Sequence, residues 1–586
     1  MGECEALGWD EVDIVLVSGD AYVDHPSFGV ALIGRWIESH GFRVALLAQP
    51  DYRDGCDDFK RFGRPRLFFG ITAGNLDSIV ANYSGNGKIR DSDPFSPAGN
   101  PYFPGAKEKS RRRRPDRATL VYSNRAQAAW PGVPVVLGGI EASLRRFIHY
   151  DYRQEKLRNS ILADSKADLL VYGMGERAVL EVAQRLAAGR DLSDIPGTCE
   201  FLPPAAGEAL AGTKNVTRLP GWQSIGAKKK NFILAELEID RRARQGTESR
   251  RILLQQQKSG WIKENCPAAS LAPEELDRLY ELPFCRQPYL RQEPVPAFAM
   301  IRDSLTIVRG CSGNCSFCAL TRHQGALVVS RTRKSIVREA EIVSRQPGFK
   351  GTITDLGGPT ANLYATFCDK SDTCTRQDCL YPTVCRHLEV DEKAFITLLD
   401  AVSGLEGVKK VLVSSGLRLA LLRRTPKLLK CLILNHLPGV MKIAPEHCVP
   451  EVLRLMHKND GLELEGFLRE TRRLADRAGV KVNFSPYLIS SHPGCGVDEM
   501  RELARNIDKN GLKARQYQDF TPTPGTLSTA MYVSGLDRDT LKPVRVAKGA
   551  GERQRQRREL ERVSGRQQAG HKAGSRRTVG KFSGRR

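Results

Sequence analysis

The chain has 586 residues with 41% hydrophobic and 7% aromatic content, enough for several packed cores, and its formal net charge is +23. No apolar run is long enough to span a bilayer, and the amino-terminal segment carries acids where a signal peptide needs bases, so a membrane or secretory address is set aside and a cytoplasmic one expected. In a reducing compartment fifteen cysteines point to metal or cluster chemistry rather than disulfides, and seven of them fall between residues 311 and 385.

Taken in chain order, the first two hundred residues alternate short apolar runs with amphipathic stretches. "DIVLVSG" (13–19), "RVALLAQ" (43–49), "RLFFGIT" (66–72), "VPVVLGG" (133–139) and "DLLVYGMGE" (168–176) predict strands, with helices at "ALIGRWIESHG" (31–41) and about 177–187. This rhythm predicts an α/β, doubly wound, Rossmann-like domain over 1–202, binding ligands at glycine-rich loops beyond its strand ends. No GxGxxG opens a helix, so a dinucleotide site is not indicated.

Residues 74–115 interrupt the rhythm with a polar insertion ending in Arg111, Arg112, Arg113 and Arg114, read as a solvated charge run with phosphate contact as the alternative. Residues 203–294 are mixed in pattern and are read as a connector. A second series of strand and helix patterns occupies 295–548, from "DSLTIVRG" (303–310) to "KARQYQDFTPTPG" (513–525), and predicts a full or partial (β/α) barrel. Residues 549–586 are rich in Arg, Gly, Ser and Gln and predict a disordered basic tail, either a solubilising segment or a salt-sensitive contact to RNA or ribosomes.

The chemistry concentrates in "RGCSGNCSFCAL" (309–320), just after the first strand of the second series. Cys311, Cys315 and Cys318 stand at a Cys-x3-Cys-x2-Cys spacing without a fourth cysteine nearby. A structural zinc site or a closed cluster takes four protein ligands, whereas three thiolates on a four-iron cluster leave one iron open. A zinc knuckle borrowing a distant ligand is the alternative. Cys368, Cys374, Cys379 and Cys385, an insertion over 368–385, offer a second site for an iron-sulfur cluster or zinc, or stand as four ordinary thiols. His323, His447 and His492 follow predicted strands as proton carriers or as hydrogen-bonded loop residues, and Cys448 and Cys495 are candidates for a spare ligand.

With an aromatic, Phe317, before the last cysteine, the triplet resembles the radical S-adenosylmethionine (SAM) superfamily. "GGIEASLRRF", "ADLLVYGMGE", "IRDSLTIVRGCSGNCSFCALTRHQG", "DLGGPTANLY" and "QDFTPTPGTLSTAMY" together resemble the YgiQ family of that superfamily, over about residues 10–545. The resemblance implies a 4Fe-4S cluster on the three cysteines, SAM chelated at the open iron, and one-electron cleavage to a 5′-deoxyadenosyl radical that acts on an unknown substrate. It implies a reductant such as flavodoxin or ferredoxin. Gly357 and Gly358 correspond to the glycine motif that approaches the methionine amino group, with Pro359 and Thr360 where relatives carry an acid; Ser414, Arg418 and Glu446 are further SAM contacts carried over by motif. The amino-terminal half resembles a cobalamin-binding domain, but "VDHPSFG" provides Asp24, His25 and Gly29 without the Asp-x-His-x-x-Gly pattern, so cobalamin is expected to be unlikely. The competing function is an iron-sulfur or zinc-stapled protein that binds RNA or ribosomes without radical catalysis.

Overall fold

The computed structural model describes residues 2–105, 111–244, 251–289, 293–370, 374, 376 and 378–576, with side chains as far as 563. The first half is built on nine strands: β1 (Ile14–Ser18), β2 (Val44–Ala48), β3 (Phe68–Thr72), β4 (Val135–Leu137), β5 (Leu169–Val171), β6 (Thr198–Leu202), β7 (Val216–Leu219), β8 (Ile252–Gln256) and β9 (Trp261–Glu264). They form one sheet in the order β7-β8-β9-β6-β5-β4-β3-β1-β2. The five strands β2-β1-β3-β4-β5 are parallel, with Ile14 level with both Val44 and Phe68.

Alternation along β1 explains the layering. Val15 and Val17 enter one core and Ile14 and Leu16 the other, so each face of the strand is buried against helices. Helices α1 (Gly29–Glu38), α2 (Ala118–Ala129), α3 (Gly139–Leu144), α4 (Glu176–Ala187) and α5 (Lys230–Arg244) follow in chain order. Ile37 of α1 and Val182 of α4 lie in one core, and Tyr122 of α2 and Ala142 of α3 in the other.

Two expectations change here. Residues 203–294 are not a bare connector: β7, β8 and β9 extend the sheet through antiparallel pairings β5–β6, β6–β9 and β9–β8. Their brevity and mixed polarity hid them: β9 reads Trp261, Ile262, Lys263, Glu264, two apolar residues followed by two charged ones, and all four are buried. The arginine run is not solvated along its length either. Arg112 and Arg114 are buried, and Arg114 pairs with Asp20 and, at 3.0 Å, with Asp93.

The second half carries parallel units in sequence order: β10 (Ser304–Thr306), β11 (Thr352–Ile353), β12 (Asp355–Gly357), a ribbon of β13 (Thr366–Cys368) and β14 (Leu388–Val390), β15 (Lys410–Val411), β16 (Val440–Glu446), β17 (Asn483–Ser490) and β18 (Gln516–Asp519). β10 pairs with β12, β11 with β15, and β16 with β17 and then β18, all parallel, and Leu417 bridges Ile443. One large apolar core lies behind them, including Leu305, Leu356, Val413, Ile443 and Leu488. Short α6 (Leu320–Gln324) follows the cysteine triplet, and α7 (Val497–Lys509) follows β17.

The carboxyl-terminal segment departs from the expected disorder at 549: α8 spans Ala550–Arg576. Gln556 and Leu560 are fully buried, and Gln556 accepts from Ser491 N–H at 2.8 Å and donates to Cys495 O at 2.9 Å. The composition of this segment conceals a short docking face. The part of the expected tail over 577–586 lies outside the described residues. Among the described residues no helix is long and apolar enough to cross a membrane.

Candidate functional site

The strand order 2-1-3-4-5 reverses direction of build between β1 and β3, and a parallel sheet opens a crevice beyond its carboxyl edge at such a switch point. A cavity of about 570 Å³ lies there. Its floor is the set of loops after β1, β3, β4 and β5, including Ser18, Gly74, Gly139 and Gly173; its roof comes from the second half, with Val308, Arg309, His323 and Gly358. The glycines are required by close approach. Gly139 has φ +78° and a Cβ there would overlap Thr72 Oγ1, while a Cβ on Gly74, at φ +104°, would overlap the Asp20 carboxylate.

Charged groups beneath this floor pair with one another. Asp20 accepts from Asn75 N–H at 2.7 Å as well as from Arg114, yet burial pushes its carboxyl up to about 6. His25, the one histidine of "VDHPSFG", is fully buried: Ser27 N–H meets its Nδ1 at 3.1 Å and Arg286 Nη1 its Nε2 at 3.0 Å.

The cysteine loop begins where β10 gives way to Gly310, whose φ of +79° and crowding against Leu327 O admit only glycine. Long-range donors then fix the loop backbone. Arg244 of α5 donates to Gly313 O at 3.2 Å and Asn314 Oδ1 at 2.5 Å, and Arg538 donates to Ser316 Oγ at 2.9 Å. Arg418 Nη2 lies 3.0 Å from Cys315 Sγ. Burial pushes the Cys315 thiol up, and Arg418 and Lys458 pull it back toward the thiolate. Cys318 is exposed, and Cys315 also feels the charge of Cys311. Among the described residues no group of three or more His, Cys, Asp or Glu side chains is closed around a single metal ion. The donor set itself, three thiols ringed by guanidinium and ammonium groups, suits a group of net negative charge.

The residues carried over by motif occupy different roles. Gly357 packs against Ser415 and Asp355, and Gly358 against Val308 O; a Cβ at either would overlap these atoms. Ser414 is spent on the backbone, donating to Thr354 O at 2.7 Å, while its N–H reaches Asp355 Oδ1 at 2.8 Å. Arg418, besides Cys315, pairs with Asp460 at 3.4 Å. Glu446 has φ +62° and pairs with Lys458 at 3.0 Å, which in turn lies 3.6 Å from Asp460. Phe317 meets the His492 ring edge-on at 6.4 Å. His492 is held by Ser528 at 2.6 Å and His447 sits 3.6 Å from Cys495, both imidazoles pushed well down by burial, so neither is a free proton carrier.

Sequence reasoning missed Arg244, Arg538, Asp460 and Lys458. The first two reach the loop from helices or turns far away in the chain and carry no local signal; Lys458 stands twelve residues after Glu446 and was legible as a charge in the same segment.

The second cysteine group is gathered by the β13–β14 ribbon, in which Cys368 faces Leu388. Cys385 N–H donates to Cys379 O at 2.7 Å, and Cys379 feels the charges of Cys385, Cys374 and Cys368 while burial pushes its thiol up to about 11. The insertion docks on the triplet loop: Cys379 N–H donates to Ser312 O at 3.1 Å and Asn314 N–H to Asp378 Oδ2 at 3.0 Å. Cys311, Cys379 and Cys385 share one apolar cluster.

A family profile described as Radical SAM N-terminal matches residues 1–304. The UPF0313 protein GSU2873 of Geobacter sulfurreducens is 46% identical over 562 residues, covering 95% of this chain and 90% of the relative. A UPF0313 protein of Thermotoga maritima is 44% identical over 553 residues, covering 93% and 94%. Among solved structures, the chain is similar to the radical SAM methyltransferase TsrM from Kitasatospora setae with cobalamin and a [4Fe-4S] cluster bound, at TM-score 0.49 and 14% identity over 89% of this chain and 77% of that one. It is also similar to the cobalamin-dependent radical enzyme OxsB with aqua-cobalamin and SAM bound, at TM-score 0.47 and 11% identity over 89% and 55%. The expectation that cobalamin is unlikely is corrected here: the solved structures similar to this chain are described with cobalamin bound, so a missing axial-histidine pattern is no ground for setting the cofactor aside.

Proposed function

The chain belongs to the UPF0313 (YgiQ) family of radical SAM proteins, and from that premise we propose that it is an enzyme that reductively cleaves SAM beside the cavity between its two halves, which serves as a ligand site, and directs the resulting radical at an unidentified substrate. The observation that carries this reading is the adjacency of the cysteine loop to the cavity: Val308, Arg309, Leu320 and His323, which flank the triplet in sequence, form part of the cavity wall. The units from β10 to β18 are read as a partial (β/α) barrel whose strand ends carry the chemistry.

Cys311, Cys315 and Cys318 would hold a 4Fe-4S cluster, which would supply an open iron for the amino and carboxylate groups of SAM and the electron for its reductive cleavage to methionine and a 5′-deoxyadenosyl radical. The protein's own part is positional. Arg418 and Lys458 offset the negative charge at the thiolates, Arg244 and Arg538 hold the loop in shape, and Gly357 and Gly358 let backbone approach SAM. Ser414 and Glu446 are kept as second-rank contacts, since both already have protein partners. A one-electron donor of the flavodoxin or ferredoxin type completes the reaction, and the thiol content accords with a reducing cytoplasm.

Cobalamin is a candidate occupant of the cavity, on the apolar lining and glycine floor at the switch point. Cys368, Cys374, Cys379 and Cys385 are proposed as a second thiolate metal site, supported by their docking on the triplet loop.

The test is anaerobic reconstitution of the wild type and of the Cys311→Ala/Cys315→Ala/Cys318→Ala variant. Wild type is expected to form 5′-deoxyadenosine with SAM and reductant, and the triple variant to form none; full cleavage by the variant would sink the reading. Iron, sulfide and zinc analysis of the same variant isolates the second site: about one further cluster or zinc equivalent supports it, and metal-free protein removes it.

A further inference from the structure

His323 lines the cavity from α6, just beyond the triplet, and reaches across to the first half. Its Nδ1 lies 3.0 Å from Ser143 Oγ. That hydroxyl has two other partners: it donates to Gly139 O at 3.0 Å and accepts from Gly173 N–H at 3.0 Å. A hydroxyl has one proton, so with that proton on Gly139 O it can only accept from the imidazole. In that arrangement His323 carries its proton on Nδ1 and a lone pair on Nε2, whereas a hydroxyl that donated to Nδ1 would leave the proton on Nε2. Burial holds the ring neutral, pulling it down to about 4, with Arg309 and Arg146 in the same direction and Glu176 opposing. Among the described residues no side chain or backbone group hydrogen-bonds to Nε2, and the ring borders the cavity.

An imidazole lone pair on a residue that lines a largely apolar cavity calls for an electron-poor partner on the ligand. The glycine floor at the switch point suits the close approach of a flat ring whose metal lies at its centre. His25 cannot serve such a metal, because both its nitrogens are occupied and the side chain is fully buried. We propose that His323 Nε2 is the nitrogen ligand to the metal of a corrinoid bound in this cavity, with Ser143 as the positioning residue that sets its tautomer. The donor thus comes from the cysteine-loop helix instead of the first-half loop where the sequence motif would put it. This rests on the reading of the cavity as a ligand site beside the radical centre.

The test uses cluster-reconstituted, full-length protein and cob(II)inamide, a corrinoid that has no nitrogen base of its own. Electron paramagnetic resonance of the bound cobalt is expected to show a three-line nitrogen splitting, which becomes two lines when the protein is labelled with ¹⁵N-histidine. His323→Ala should lose the splitting, and Ser143→Ala should reduce the coordinated fraction several-fold, both with cluster absorbance retained as the sign of a folded chain. Cobinamide that binds without nitrogen splitting, splitting that survives in His323→Ala, or no binding by the wild type would each overturn the proposal. SAM cleavage measured on the same preparations without corrinoid reports separately on the radical reading: cleavage without splitting removes only the ligand assignment, and splitting without cleavage removes only the radical one.

Discussion

The two halves of the chain meet at one cavity with different materials. The first half presents backbone: glycine loops at Gly74, Gly139 and Gly173, with its charged groups paired below the floor as Arg114–Asp20–Asp93 and Arg145–Asp77. The second half adds Arg309 and His323 to the cavity wall and gathers its charge beside the cysteine loop: Arg418 on Cys315, with Asp460, Lys458 and Glu446 linked behind it. The first half supplies shape at the cavity and the second supplies charge beside the cysteine loop, so substitutions in the two halves are expected to fail in different ways.

The largest effect that sharpens this contrast is expected at Arg418. Its loss leaves Asp460 short of a buried partner and removes the donor to Cys315 Sγ. Breaking a buried pair from one side costs about 3–5 kcal/mol, because the remaining charge stays in a low-dielectric site. Arg418→Ala is predicted to lower 5′-deoxyadenosine formation and bound iron together by more than about tenfold, since 1.4 kcal/mol already corresponds to a factor of ten. Arg418→Lys keeps the charge without the fork and should fall between. Undiminished cleavage in Arg418→Ala would show that the charge behind the thiols is incidental.

A backbone substitution in the first half should act oppositely. Gly139→Ala forces a side chain into φ +78° and against Thr72 Oγ1. A non-glycine residue held in such a region costs on the order of 1–3 kcal/mol, and the overlap adds to it. The predicted result is a thermal transition lowered by several degrees, with iron content per folded chain unchanged. Iron loss in step with the substitution would mean that the halves are not separable in this sense.

The same contrast explains what was legible in the sequence. The parallel strands of the first half are buried on both faces, so "DIVLVSG" and "VPVVLGG" announce themselves as apolar runs, and the glycines mark the ligand edge. The cysteine triplet is legible because the cluster proposed for it would fix both residue type and spacing. What stayed hidden depends on distance: Arg244 and Arg538 reach the loop from points 69 to 224 residues away, and no local pattern encodes that. Strands β7 to β9 were hidden because they are short and mix polar with apolar residues, although β8 and β9 are mostly buried. The buried arginines of 111–114 were misread because a charge run looks solvated until Asp20 and Asp93 are seen to meet Arg114.

The smallest effect concerns the carboxyl-terminal helix, where composition and packing disagree. Within 549–563 the structure buries Arg553, Gln556 and Leu560 against the strand ends of β17 and β18. Removing Gln556 would leave Ser491 N–H and Cys495 O without their partner, at about 1–3 kcal/mol for each orphaned buried group. Loss of 549–586 is therefore predicted to lower the melting temperature by several degrees, and Gln556→Ala to reproduce part of that shift. Loss of 564–586 alone removes seven Lys or Arg and no acid, all beyond that docked face. It is predicted to move the melting temperature by no more than about a degree, in line with surface changes of roughly 0.5 kcal/mol. Any role of those seven charges in gripping RNA must then appear in salt dependence, because neutralised phosphates release counterions and steepen the fall of affinity with salt. A salt titration of RNA binding for the full chain and for the chain ending at 563 decides it: a shallower slope after truncation assigns the charges to RNA, equal slopes make them a solubilising end, and a large stability loss from the short truncation would extend the docked helix past the face described above.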